Sequence, residues 1–239
     1  MANKEKTMGS INCKVIVLHG WAYSVDKWES FIKAMKNYGT DILMLSIPGL
    51  TAEINRVWTL EDYVSWLKET LDKETGQVIL VAHSNGGRIA IPFAAKYPEK
   101  LKHLILIDSA GIYHNELPIR LKRILFGGLA KLGRTITSSD KLRSLLYKLA
   151  RAKDYEQASP LMQQTMANLI SVDLRNDLGK IRVPTTIIWG QLDKYTPLSD
   201  GKLMHRLVKG SKLHVINFAK HSPQYTNPRE VSKVINELI

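Results

Sequence analysis

The stretch from Val78 to Gly87 constrains the fold of this chain more than any other. An apolar, β-prone run ends there in a serine, and a helix-like segment follows. A strand that turns sharply into a helix exposes the residue at the turn and holds its backbone under strain. Small residues are needed two positions before and after it, and Ala82 and Gly86 occupy those positions. The pattern A-x-S-x-G therefore predicts that Ser84 presents a nucleophilic hydroxyl.

A serine hydroxyl needs a base to take its proton and a third group to orient that base. Two later strand-like runs, residues 185–190 and 212–217, are each followed by a polar loop. The first loop carries Asp193 and the second carries His221. The carboxyl ends of parallel strands meet at one edge of a sheet. We therefore expect Ser84, Asp193 and His221 to converge as nucleophile, acid and base.

Other residues compete for these roles. Asp108 also follows an apolar strand and is the alternative acid, with Asp193 favoured. The chain has seven histidines, and His221 is the favoured base because the others fall in helix, cap or strand contexts or beside the nucleophile. Arg88 lies one turn into the helix predicted after Ser84, and it is interpreted as a structural charge.

These residues belong to a series of landmarks that covers nearly the whole chain. In order and spacing the series resembles the α/β-hydrolase-fold serine hydrolases, of carboxylesterase-like type with a helical cap. The first landmarks are a strand with its loop at residues 15–21 and the loop after the next strand at residues 46–49. The sharp turn at Ser84, called the nucleophile elbow, covers residues 82–86, and a helix-to-strand step follows at residues 97–108. The acid segment, residues 189–193, and His221 complete the series.

The resemblance implies an oxyanion hole, since acyl transfer develops negative charge on a carbonyl oxygen. One donor is expected to be the N–H of Asn85, aided by the helix N-terminus. The second is expected to be the N–H of Trp21. Gly20 lets the loop bend close, and His19 is expected to organise that loop without acting as a base.

Strand and helix patterns alternate along the chain, which predicts an α/β fold with a mostly parallel sheet and helices on both faces. Predicted strands lie near residues 15–18, 42–45, 78–82, 104–107, 185–189 and 213–216. Predicted helices lie near residues 27–38, 60–73, 86–96, 199–208 and 227–238. Strand-like runs are missing from residues 112–181. We therefore predict a hydrolase core of residues 1–111 and 182–239 with an inserted helical cap of residues 112–181.

The cap is rich in apolar residues and carries about half of the excess charge. It has 12 Lys and Arg against 6 Asp and Glu, in a chain of net charge +12. Residues 120–125 mix basic and apolar side chains. A lid helix with a solvated outer face is the favoured interpretation, over an interfacial helix attracted to anionic lipid. High charge without a binding motif does not indicate nucleic-acid binding.

Other sequence features concern disulfides, cofactors and the cellular location. The single cysteine, Cys13, cannot form an internal disulfide, and no ligand spacing suggests a metal or another cofactor. Residues 1–10 lack the apolar stretch of a signal peptide. No apolar run reaches the roughly 18 residues of a membrane span. The sequence leads us to expect a cytoplasmic monomer or homodimer.

These features together favour a hydrolase of small carboxylic esters that have an apolar acyl or alcohol part. Two alternatives stay open. One is a carbon–carbon bond hydrolase of the ring-cleavage-product type, which shares fold, triad and cap. The other is a hydrolase-like receptor that binds its ligand and turns it over slowly.

Overall fold

The central sheet confirms the predicted fold class. The computed structural model describes residues 14–22, 24–114 and 158–238. In these ranges six strands form one sheet in the order β2-β1-β3-β4-β5-β6, and each neighbouring pair is parallel. The strands are β1 (Val15–Leu18), β2 (Ile42–Met44), β3 (Val78–His83), β4 (Leu101–Ile107), β5 (Thr185–Gly190) and β6 (Lys212–Ile216).

Helices connect the strands and cover both faces of the sheet. They are α1 (Glu29–Lys36), α2 (Leu60–Leu71), α3 (Asn85–Lys96), α4 (Pro160–Ile170), α5 (Arg175–Leu178), α6 (Leu198–Leu207), α7 (Pro223–Thr226) and α8 (Pro228–Asn236). Short 3₁₀ turns precede α1 and β4, at Asp26–Trp28 and Pro98–Lys100. In the part of the chain that the structure describes, no helix is long and apolar enough to cross a bilayer.

The alternation of side chains along each strand builds two cores. On β1, Ile16 and Leu18 join one core, and Val15 and Val17 join the other. Successive strand residues point to opposite faces, so an all-apolar strand serves both layers. The first core includes residues of helices α2 to α6, and the second packs α1 and α8 against the sheet. This burial fixes the strand ends, from which the polar loops emerge.

Local signals set the start of helix α2. Thr59 Oγ1 accepts a hydrogen bond from the Asp62 N–H at 3.2 Å, and Asp62 Oδ2 accepts one from the Thr59 N–H at 2.7 Å. This reciprocal capping box satisfies two amides that the first turn would leave unpaired. The helix therefore begins where the sequence predicts.

The described part of the predicted cap holds helices α4 and α5. Met162 of α4 is almost fully buried in the first core, and Ser159 caps the helix by accepting a hydrogen bond from the Met162 N–H at 3.2 Å. The basic and apolar residues 120–125 lie outside the described residues, as do Cys13 and residues 1–10. The cap boundaries at 112 and 181 stay a prediction.

Arg88 ties the elbow helix α3 to helix α4. Its buried Nη1 donates to the carbonyl oxygens of Leu169 and Val172, at 2.9 Å each. Burial lowers the pKa of this guanidinium to about 10, although Asp173 acts in the opposite direction. Carbonyls in the last turn of α4 and just after it thus accept from a side chain of the helix that follows Ser84. These contacts support the structural interpretation of Arg88.

We expect Arg88→Met to lower the free energy of unfolding by about 1–3 kcal/mol, because the carbonyls of buried Leu169 and half-buried Val172 lose a charged donor. Urea denaturation measures the change. Arg182→Met is the matched control, since exposed Arg182 also donates to two carbonyls, those of Gly179 and Ile181. Water can replace that donor, so the control should change stability by less than about 0.5 kcal/mol. Equal losses in both variants would contradict the role assigned to Arg88.

Candidate active site

Ser84 lies at a strained turn between strand β3 and helix α3. Its φ is 52° and its ψ is −116°, a conformation that residues other than glycine rarely adopt. Hydrogen bonds hold it there. Its N–H donates to the carbonyl of Ile107 at 3.1 Å, and its carbonyl accepts from the N–H groups of Gly87 at 3.0 Å and Ala110 at 2.9 Å. The turn therefore has the form predicted for a nucleophile elbow.

Two glycines allow the backbone to pack closely around the turn. A Cβ on Gly86 would lie 2.3 Å from the carbonyl oxygen of Leu18, so the first turn of α3 lies directly against the end of β1. A Cβ on Gly20 would lie 3.0 Å from the Cβ of Ser84 and 2.8 Å from Nδ1 of His83. The loop after β1 thus runs directly beside the serine.

The predicted base and acid both reach Ser84 through one chain of contacts. His221 Nε2 lies 3.0 Å from Ser84 Oγ, and His221 Nδ1 lies 2.7 Å from Asp193 Oδ2. The carboxyl of Asp193 is fully buried, while the imidazole of His221 keeps a small exposed fraction. The structure brings together the three residues that the sequence predicts.

The loop after β5 folds around the Asp193 carboxylate. Oδ1 accepts hydrogen bonds from the N–H groups of Tyr195 at 2.7 Å and Thr196 at 3.2 Å. The Thr196 hydroxyl lies 2.7 Å from Oδ2 and 3.3 Å from His221 Nδ1. Thr196 was not predicted from the sequence. The available signal was the spacing Asp-x-x-Thr, since an Asp that accepts from the amides that follow it forms an Asx turn.

These contacts keep Asp193 charged. Burial opposes its ionisation, but hydrogen bonds from His221 and Thr196 outweigh it and lower the pKa of this carboxyl. Asp193 is therefore an anion at neutral pH, beside the ring nitrogen of His221. An anion in this place fixes the tautomer of the imidazole and stabilises its protonated form.

Asp108, the alternative acid, has a different place. Its Oδ1 accepts from the Gly190 N–H at 2.7 Å, and its Oδ2 accepts from the Ser222 N–H at 2.9 Å. Gly190 precedes the loop that carries Asp193, and Ser222 follows His221. The carboxyl thus joins the acid loop to the histidine loop, and it is Asp193 that bonds His221. Burial raises the pKa of Asp108 to about 7, although both backbone hydrogen bonds lower it.

The expected oxyanion donors belong to two segments next to Ser84. Asn85 is the first residue of α3, and Trp21 follows Gly20 in the loop beside the serine. Neither backbone N–H donates a hydrogen bond to any of the residues that the structure describes. The role of both amides in an oxyanion hole stays a prediction.

His19 organises the loop that carries Trp21. Its Nδ1 lies 2.8 Å from the Gly20 carbonyl, and since a carbonyl only accepts, Nδ1 carries the proton. Its Nε2 then accepts from the Thr51 hydroxyl at 2.9 Å, while Thr51 Oγ1 accepts from the Ile47 N–H at 2.9 Å. Burial is the main cause that lowers the pKa of His19, so the ring is neutral. The network connects the loops after β1 and β2.

Four of the other histidines have other partners. His83 is buried behind His221, with ring centroids 5.0 Å apart, and its Nε2 lies 3.2 Å from the Ser222 hydroxyl. Burial, and then the proximity of His221 and His19, lower its pKa well below the ordinary value. Three others contact polar side chains away from Ser84: His103 with Thr186, His114 with Asp200 and His205 with Ser211.

One group of side chains has the composition of a metal site. His83, Asp108 and His221 each place a potential ligand atom within 4.8 Å of the others. Both nitrogens of His221 and both oxygens of Asp108 already take part in the hydrogen bonds described above. These four atoms therefore already belong to a hydrogen-bond network, whereas Nδ1 of His83 is buried without a hydrogen-bond partner among the described residues. The expected lack of a metal stays a prediction.

We expect Asp108→Asn to lower the free energy of unfolding by about 1–3 kcal/mol, because the amide sets an N–H₂ group against a backbone N–H. The loss should depend on pH. With a folded pKa of about 7 against an ordinary 3.8, folded Asp108 keeps a proton that the unfolded chain releases between these values. The wild type therefore loses stability relative to the variant as pH rises through this window.

Urea denaturation at pH 5 and pH 8 measures this dependence, with exposed Asp26→Asn as the control for loss of a carboxylate. The deficit of Asp108→Asn should be larger at pH 5. A deficit that grows towards pH 8 would contradict the raised pKa.

Comparison with known proteins agrees with this geometry. The family described as alpha/beta hydrolase fold matches residues 14–228. The chain is 23% identical over 250 residues to a pimeloyl-[acyl-carrier protein] methyl ester esterase of Aeromonas hydrophila, covering 94% of each chain. It is 24% identical over 249 residues to a 2-hydroxy-6-oxo-2,4-heptadienoate hydrolase of Pseudomonas putida, covering 94% of this chain and 88% of the relative.

Another relative is longer, and a solved structure shares the fold. The chain spans 44% of a biotin biosynthesis bifunctional protein of Teredinibacter turnerae, at 25% identity over 94% of its own length. It superposes on MGS-M2, an alpha/beta hydrolase enzyme from a Medee basin deep-sea metagenome library, with a TM-score of 0.71 and 21% identity, covering 98% and 91% of the two chains. With its parallel sheet, its elbow and this family match, the chain belongs to the alpha/beta hydrolase fold family.

Proposed function

We propose that the protein is a serine hydrolase of carboxylic esters that works through an acyl-enzyme intermediate. The observation that carries the proposal is the contact chain at the sheet edge. Ser84 Oγ lies 3.0 Å from His221 Nε2, and His221 Nδ1 lies 2.7 Å from Asp193. Nucleophile, base and orienting acid at these distances are the parts that serine acyl transfer needs.

In the first step, Ser84 Oγ attacks the ester carbonyl carbon while His221 Nε2 takes its proton. Asp193 accepts the hydrogen bond from Nδ1–H and stabilises the imidazolium that forms. The carbonyl oxygen becomes an oxyanion. The N–H groups of Asn85 and Trp21 are proposed to hold it, and one such donor is worth about 10²–10³ in turnover where it has been removed from a related site.

The tetrahedral intermediate then collapses. His221 gives its proton to the leaving alcohol, the carbon–oxygen bond breaks, and the acyl group stays on Ser84. Water enters, loses a proton to the same imidazole and attacks the acyl carbon. The acid leaves and Ser84 recovers its proton, so the cycle closes with one water consumed. No step requires a metal or a cofactor.

A cavity beside the loop after β2 is the candidate site for an apolar part of the ester, and Ser84 and His221 are not among its lining residues. Its volume is about 480 Å³, and it is lined by the loop after β2 and the start of α4, including Leu50, Thr51, Ile54 and Met162. Thr51 is the residue that bonds His19, so the cavity adjoins the loop of the proposed oxyanion hole. The esterase name of one relative points to the same substrate class.

Carbon–carbon bond hydrolysis is the second candidate, because another relative is named for a 2-hydroxy-6-oxo-2,4-heptadienoate substrate. That compound has no ester bond, so its hydrolysis would need the same fold to break a different bond. A cytoplasmic location and a monomeric or homodimeric state remain proposals as well.

Hydrolysis of p-nitrophenyl esters, from acetate to palmitate, tests the proposal. We expect turnover on esters of this series, and the chain length with the highest turnover then measures the size of the acyl site. Asp193→Asn should lower kcat by about 10⁴-fold, because the imidazole then loses its orienting anion.

Two results would count against the proposal. A folded protein without turnover on any of the esters, but active on an oxo-dienoate, would favour carbon–carbon bond hydrolysis. Ester turnover that survives in Asp193→Asn would show that another acid, with Asp108 as the first candidate, orients the histidine.

A further inference from the structure

The loops after β5 and β6 form one continuous surface. The Leu192 N–H donates to the carbonyl of Ala219 at 2.8 Å, and the Phe218 N–H donates to Gln191 Oε1 at 3.1 Å. Because these loops also carry Asp193 and His221, their outer surface lies at the edge of the candidate active site.

Large apolar side chains on this surface are exposed to solvent. Phe218 is 82% exposed, Tyr195 is 67% exposed and Leu192 is 47% exposed. Single exposed apolar residues are ordinary on a protein surface, but a group of them marks an interaction site. The Tyr195 ring centroid lies 5.2 Å from that of His221, so this group borders the reacting residues.

The exposed residue Phe218 also has an unusual backbone conformation. Its φ is 58°, in the left-handed region, which glycine and asparagine adopt readily and bulky residues rarely adopt. The side chain gains little from packing because most of it is exposed. Folding therefore does not account for a phenylalanine at this position. Strain at an exposed residue is a reason to look for a function.

Charge identifies the partner. Lys194 and Lys220 flank the apolar residues, and both are exposed. Neither has an ion-pair partner within the ranges 14–22, 24–114 and 158–238. Asp193, the one acidic residue in segments 191–196 and 217–222, is buried against His221. Within these two segments the exposed charge is therefore positive.

We propose that this rim, composed of Leu192, Lys194, Tyr195, Phe218 and Lys220, docks the protein on the surface of an anionic lipid bilayer. Aromatic and aliphatic groups enter the boundary between headgroups and acyl chains, and the lysines pair with acidic headgroups. Docking in this way turns the edge of the sheet that holds Ser84 towards the lipid. The inference is independent of the proposed esterase activity.

Co-sedimentation with vesicles tests the proposal on the full chain. We expect binding to vesicles of equal parts phosphatidylcholine and phosphatidylglycerol, weak binding to pure phosphatidylcholine, and a loss of affinity as salt rises. Lys194→Gln and Lys220→Gln should each weaken binding about fivefold. Phe218→Asn should weaken it at least about tenfold, because a buried aromatic ring is lost.

The Phe218→Asn variant also controls for folding. Asparagine accepts the left-handed backbone, so the melting temperature should stay the same or rise. Matched controls precede strands β2 and β6, so they lie at the amino ends of the strands, away from the rim. Tyr38→Asn replaces an aromatic residue that is 45% exposed, and Lys209→Gln replaces an exposed lysine. Both controls should bind vesicles like the wild type.

Three outcomes would overturn the proposal. Equal weakening by Lys194→Gln, Lys220→Gln and the control Lys209→Gln would show that net charge drives binding wherever it lies, and equal weakening by Phe218→Asn and Tyr38→Asn would show that the rim has no special role. Absence of binding to both kinds of vesicle would also overturn it, and would make an acidic protein the next partner to test on the rim.

Discussion

The candidate site depends on the backbone of Ser84. A serine at φ 52° and ψ −116° keeps this conformation only because the surroundings leave no alternative. Gly86 lies against the carbonyl of Leu18, and Gly20 lies against Ser84 itself. A side chain at either glycine would push helix α3 or the loop after β1 away. The hydroxyl and the amide of Asn85 would move with them.

The candidate site also requires that the loops carrying its residues meet in space, and the sheet brings them together. Parallel strands end at a common edge, so the loops after β1, β3, β5 and β6 meet there although their residues are far apart in sequence. Asp108 adds a brace, because its two carboxylate oxygens accept amides from the acid loop and from the histidine loop. The alternative acid is thus placed to support the geometry of Asp193 and His221.

The sequence predicts much of this arrangement because apolar periodicity and turn chemistry are local. Five of the six strands begin and end within a residue of their predicted bounds. Strand β4 begins at Leu101, before the expected residue 104, because Lys102 and His103 are half-buried in the sheet and break the apolar run. The brace at Asp108 consists of long-range hydrogen bonds, which no local pattern reports. Thr196 bonds Asp193 three residues earlier, and the spacing Asp-x-x-Thr was its local signal.

The most direct test is whether Ser84 is the residue that reacts. We would treat the folded protein with a fluorophosphonate and locate the adduct by peptide mass spectrometry. We expect a single adduct on Ser84, with no labelling of Ser84→Ala or of the wild type unfolded in urea. An adduct at another residue, equal labelling of Ser84→Ala, or no adduct on the folded wild type would contradict its role as the nucleophile.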